Sequence, residues 1–138
     1  MSIEENKALV RRGYEELNNR NLAQLYENFA IDSVFHAPGG REMRGLEHMK
    51  QLVTRLLSAF PDYYETIDDM VAEGDKVVAR VRWTGTHQGE YMGIAPTGKQ
   101  VTYTAITVYR IADGKIVETW QEGNRLGLMQ QLGVIPSQ

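Results

Sequence analysis

The sequence predicts an α+β fold, with N-terminal helices packed on one face of a curved antiparallel sheet. Three observations predict it. Apolar residues recur at helical spacing as far as Phe60, alternation takes over after Pro61, and two hairpin turns, Gly74-Asp75 and Ala112-Asp113-Gly114, punctuate the second half. Helices first and a run of strands afterwards is the order of an α+β domain. A chain of 138 residues has the size of a single domain over 1–138. At that length folding buries about two thirds of the unfolded surface, so no disulfide staple is needed.

Each element has its own signal. Ser2 and Glu5 form a capping box at the start of a helix over 2–19, and Ile3, Val10, Tyr14 and Leu17 share one face. Arg11–Glu15 and Arg12–Glu16 add weak pairs four residues apart on the outer face. The polar run Asn18-Asn19-Arg20-Asn21 ends it, and Asn21 caps a second helix over 21–30 carrying Leu22, Leu25, Tyr26 and Phe29. Ser33 to His36 reads as a short strand closed by Pro38-Gly39-Gly40, and a third helix over 46–60 stops at Pro61. Tyr63 to Glu73 is strand-like. In Lys76 to Thr86, Val77, Ala79, Val81 and Trp83 take one face and Val78, Arg80, Arg82 and Thr84 the other. A Gly-rich loop, Gln88 to Lys99, precedes strands over 101–111 and 115–122, and a short helix over 126–132 ends the pattern. Helices laid across a curved sheet leave a cavity between the layers, which is where a small molecule is expected to bind.

Composition excludes several function classes. A net charge of −3 without a Lys/Arg run lacks the basic surface needed to displace counterions from nucleic acid. With no Cys there is no disulfide, thiolate metal site or Cys nucleophile. The three His residues show no ligand spacing, so no metal site is expected. No apolar stretch approaches the ~20 residues of a membrane span, and Met1 to Glu5 lacks the basic and apolar regions of a signal peptide. The expected location is the cytoplasm, with no membrane partner.

The stretch Thr86-His87-Gln88-Gly89-Glu90-Tyr91-Met92-Gly93-Ile94-Ala95-Pro96-Thr97-Gly98-Lys99 strongly resembles the T-H-x-G…M-G-I-x-P-T-G-K segment of the SnoaL-like polyketide cyclases. The likeness continues through Tyr109-Arg110-Ile111, Asp113 to Glu118 with Trp120, and Leu128-Met129-Gln130-Gln131-Leu132-Gly133, about half the chain at motif level. The resemblance implies a cone-shaped α+β barrel of the nuclear-transport-factor-like superfamily, which also holds ketosteroid isomerase. It also implies intramolecular aldol closure of polyketide esters without metal or cofactor. In that family a pocket Asp on the last strand acts as base, assisted by a His on the preceding strand. Laid onto this chain through Asp113-Gly114-Lys115-Ile116, the Asp position is Gln121 and the His position Thr107, while a further acidic position is Asn124. An amide cannot take up a proton at neutral pH. Standard aldol closure is therefore not expected, and neither is a carboxylate placed as a base in the cavity.

The expected ligand-binding set is Tyr103, Thr107, Tyr109, Thr119, Gln121, Asn124 and His36, around a small hydrophobic molecule. Alternation turns the strand residues of this set, with Ala105, toward the cavity, where so many polar groups are too many for a dry core. Catalytic candidates are His36, Gln121 and Thr107. His36, at a strand end, is the general base left by elimination because its pKa lies near working pH, although a lone His is more often structural. His87 reads as a structural residue of the Gly-rich loop, and His48 as part of a solvated helix face. Glu118 and Glu122 fall on the opposite face from Gln121, with Trp120. Trp120 flanked by Arg80 and Arg82 suggests a homodimer through the outer sheet face. Three functions fit: a cyclase-related enzyme on a carbonyl compound with an altered catalytic set; a cofactor-independent hydroxylase or epoxide-opening enzyme; or a non-catalytic binder of a small apolar ligand.

Overall fold

The computed structural model describes residues 2–136. Helix α1 (Ile3–Asn18) opens with the reciprocal box: the Ser2 hydroxyl accepts the Glu5 N–H and the Glu5 carboxylate accepts the Ser2 N–H, each at 3.1 Å. Its buried stripe is Leu9, Val10, Gly13 and Tyr14. Ile3, expected on that face, is 41% exposed at the first position of the helix. Helix α2 (Leu22–Glu27) begins at Asn21, which makes no side-chain cap bond. It ends earlier than the spacing predicts, because Phe29 already starts strand β1 (Phe29–Ala37).

Pro38-Gly39-Gly40 is a hairpin turn rather than a simple strand end. Gly39 and Gly40 take φ of 87° and 81° and reverse the chain into β2 (Arg41–Arg44), a strand too short to show a period. Helix α3 (Leu46–Ala59) stops before Pro61, and β3 (Tyr64–Glu73), β4 (Lys76–Thr86), β5 (Gln100–Ala112), β6 (Lys115–Gly123) and α4 (Arg125–Leu132) follow.

The six strands form one curved sheet in the order β2-β1-β6-β5-β4-β3. It stays open between β2 and β3 instead of closing into a barrel. Four neighbouring pairs are antiparallel, but β1 runs parallel to β6, with His36 opposite Trp120 and Phe35 opposite Thr119. The all-antiparallel expectation fails at that pair because its partners lie some eighty residues apart, beyond any local pattern. The predicted alternation of β4 is present: Val77, Ala79, Val81 and Trp83 are all buried, at most 5% exposed, beneath the helices. They join Leu9, Val10 and Tyr14 of α1 and Phe60 at the end of α3 in one core. No helix of the described residues is long and apolar enough to cross a membrane.

Candidate functional site

The helices and the inner sheet face enclose a cavity of about 770 Å³. One side is apolar: Val10 and Leu17 of α1, Phe35 of β1, and Met49, Val53 and Leu56 of α3. An aromatic row forms another wall, with the Trp83 ring 5.0 Å from that of Tyr63 and 5.6 Å from that of Tyr103. Arg41, Arg55, Glu90 and Arg125 bring charge to the lining, and Arg41 and Met92 are exposed at the rim. Arg125 is held there by donating to the Pro38 carbonyl at 3.1 Å.

Strand register decides which polar groups meet inside. Thr107 pairs with Gln121 and Tyr109 with Thr119 across β5 and β6, so all four point to one side. Gln121 Nε2 donates to Thr107 Oγ1 at 3.3 Å, an uncharged pair on the cavity wall. Tyr103 lines the same space. Ala105 is buried but is not part of the lining. The Tyr14 and Tyr109 hydroxyls share a hydrogen bond from α1 to β5. Burial raises both phenols well above the ordinary tyrosine value, and pushes Tyr103 up to about 12. All three therefore stay protonated at working pH.

Two expected site residues lie elsewhere. His36 does not reach the cavity mouth: its even position on β1 turns it to the outer sheet face while Phe35 and Ala37 line the cavity. There it stacks on Trp120 with ring centres 5.3 Å apart and lies 2.7 Å from Glu118, whose carboxyl the His36 hydrogen bond holds below its ordinary value. Asn124 is exposed and caps α4, accepting the Gly127 N–H at 2.9 Å. The residue types at a helix start carry that signal in the sequence. Of the remaining histidines, His48 is exposed on α3 and His87 is fully buried, its Nδ1 accepting the Thr97 N–H at 3.2 Å. Among the described residues no cluster of acids and histidines could hold a metal.

The expectation of a cavity without a placed carboxylate is overturned by Glu65. It sits on β3, 7% exposed, in the cavity lining between Tyr63 and Trp83. The Tyr63 hydroxyl donates to its carboxylate. Its backbone is clamped from α1: Asn18 Nδ2 donates to the Glu65 carbonyl and Asn18 Oδ1 accepts the Glu65 N–H, each at 2.8 Å. Arg20 holds the approach to β3 by donating to the carbonyls of Pro61 and Tyr63 at 2.9 and 2.8 Å. Burial pushes the Glu65 carboxyl up to about 7, against an ordinary 4.5, with the Tyr63 bond pulling the other way. A signal was available: Tyr63, Glu65 and Ile67 share one phase of the strand, so an acid stands between two apolar inward positions.

Comparison with known proteins adds three findings. Residues 8–132 match the family model of the SnoaL-like polyketide cyclases. The chain is 31% identical to the aklanonic acid methyl ester cyclase DnrD of Streptomyces peucetius, covering 91% of this chain and 88% of that one. Among solved structures it is similar to AclR of Streptomyces galilaeus, a candidate hydroxylase, with 34% identity, a TM-score of 0.90, and 99% of this chain and 86% of that one covered. It is also similar to IdmH of Streptomyces antibioticus, a candidate polyketide cyclase, at 32% identity and a TM-score of 0.82, covering 93% and 98% respectively.

Proposed function

This chain belongs to the SnoaL-like polyketide cyclase family, and from that premise we propose that its cavity binds an apolar, polyketide-like carbonyl compound and acts at a carbon made acidic by that carbonyl. The carrying observation is the β5–β6 wall, where Gln121 and Thr107 offer hydrogen bonds without charge inside a space lined largely by aromatic and aliphatic side chains. Such a wall orients a carbonyl or phenol but takes no proton from carbon. Aklanonic acid methyl ester, which the relative DnrD is named for cyclising, is expected to bind and quench Trp83 fluorescence. Gln121→Asp puts a carboxylate at the family's base position and is expected to speed closure by about two orders of magnitude. Cyclisation would be followed by chromatography. Absence of binding would overturn the reading.

The likeness to AclR favours a second reading, insertion of oxygen at the activated carbon. Consumption of dioxygen with a hydroxylated product would select it over ring closure. We further propose that the protein is a homodimer through the outer sheet face. Ile106 is 52% exposed there, beside Val108 and Trp120. Arg80 and Arg82 do not flank Trp120 as the sequence suggested, since β5 intervenes; its direct neighbours are His36 and Val108. Light scattering is expected to give twice the 15.7 kDa chain mass, and a 15.7 kDa species at micromolar concentration would refute the dimer.

A further inference from the structure

We infer that Glu65 is the general base of this cavity, held in place by Tyr63 and Asn18, so that proton removal is moved from the β6 wall to the edge strand β3. The inference deepens the function proposed above and rests on it for the class of substrate. Three features support it independently. Glu65 is an acid at an inward position of a lined cavity, with no cation among the described residues in hydrogen-bond contact, so nothing in its hydrogen bonding there locks it as a salt bridge. The groups facing it are phenols: Tyr63 beside it on the approach to β3, Tyr14 from α1, and Tyr103 and Tyr109 from β5. Tyr63 donates its hydrogen bond to the Glu65 carboxylate, and one of Tyr14 and Tyr109 donates its own to the other. That leaves Tyr103 and the remaining phenol of that pair to donate to the oxyanion that forms when carbon loses its proton.

The two-point Asn18 clamp is the third feature. As an edge strand, β3 has backbone groups with no neighbouring strand, and the Asn18 amide takes up both at Glu65. A structural acid would gain nothing from burial without a cation. A base gains a carboxylate poised near working pH and stripped of water. Tyr63 and Asn18 are positioning residues: one donates to the carboxylate and the other fixes the backbone from which it projects.

A probe unrelated to polyketides tests the base alone. In 5-nitrobenzisoxazole a carboxylate removes the proton from C3, the C–H electron pair becomes part of the nitrile, and the ring N–O bond breaks to leave cyanonitrophenolate. The proton left on Glu65 passes to water. The wild type is expected to accelerate this elimination well beyond equimolar acetate, with a rate that rises with pH through about 7 and then levels. Glu65→Gln should lower the rate at least about 100-fold, with the fold intact by circular dichroism. Glu122→Gln, on the outer face, should leave it unchanged.

Tyr63→Phe keeps the carboxylate but removes the hydrogen bond that favours its ionised form, so the midpoint should move to higher pH with the plateau largely kept. That shift distinguishes a base from a merely structural acid, and it also serves if Glu65→Gln does not fold. Elimination by folded Glu65→Gln at the wild-type rate, a wild type no faster than acetate, or an unmoved midpoint in Tyr63→Phe would overturn the inference. If elimination depends on Glu65 while aklanonic acid methyl ester fails to bind, the proposed substrate class falls and the base stands. If the ester binds and elimination is absent, the base falls and the binding reading stands.

Discussion

Glu65→Gln is expected to make the protein more stable at pH 8, by about 3 kcal/mol. The sign follows from proton binding. Folding raises the carboxyl from its ordinary 4.5 to about 7 by burying it. Below the lower value both folded and unfolded chains carry the proton. Between the two values the native protein keeps it and the unfolded chain has released it, so stability falls as pH rises, and it levels off once the native carboxyl has ionised. A neutral Gln fills the same space, can still accept from Tyr63, and has no such penalty. Urea denaturation of both proteins from pH 4 to 8 should give curves that meet in acid and separate progressively toward pH 8. The acids held below their ordinary values, exposed Asp62 by Thr86 and half-buried Glu118 chiefly by His36, work in the opposite direction. They are common to both proteins and cancel in the difference. Parallel pH curves for the two proteins would mean that Glu65 is not buried as a titrating acid. Activity and stability then pull against each other at this one position, as expected of a functional group kept at a cost to the fold.

Gly89→Ala is expected to destabilise the fold by about 3 kcal/mol. A Cβ at Gly89 would lie 2.4 Å from the Ser58 carbonyl oxygen and 3.2 Å from Ala59 Cα, both backbone atoms at the end of α3. No rotamer change can relieve that contact. The loop would have to lift from the helix, giving up the bonds by which Gln88 and Gly89 N–H groups reach the Ala59 carbonyl at 2.9 and 3.1 Å. It would also disturb His87, which is buried with its ring tilted against that of Phe60 at 5.5 Å. Gly93 in the same loop has open space around its missing Cβ, so the crowding is specific to Gly89. The urea midpoint should fall with an unchanged slope. A midpoint within experimental error of wild type would show that the loop docks loosely and that the H-x-G spacing has another purpose.

The sequence carried several features set by neighbours along the chain. The Ser2–Glu5 box, the helix stop at Pro61, the hairpins at Gly74 and Gly114, and the buried phase of Val77 to Trp83 each depend on residues within a turn or a strand length, and each is found where the pattern puts it. The inward direction of Thr107, Tyr109, Thr119 and Gln121 follows from the same alternation. Local order also placed the Thr86–Lys99 motif, and through it the family.

What the tertiary structure alone decided is where distant strands meet and how their phases shift. The parallel register of β1 on β6 places His36 on Trp120 at the outer face, although nothing near His36 in sequence says which side of the sheet it takes. Glu65 was hidden by a bulge. Between Ile67 and Asp69 the register of β3 slips, so Tyr63, Glu65 and Ile67 point inward before it, and Met70 and Ala72 pack inward after it. Read as one unbroken strand, 63–73 has no consistent phase, and an acid within it looks like surface. An inserted residue reverses every side chain beyond it. The pairing with β4 shows where that reversal falls, and so that the phase of Tyr63, Glu65 and Ile67 is the inward one.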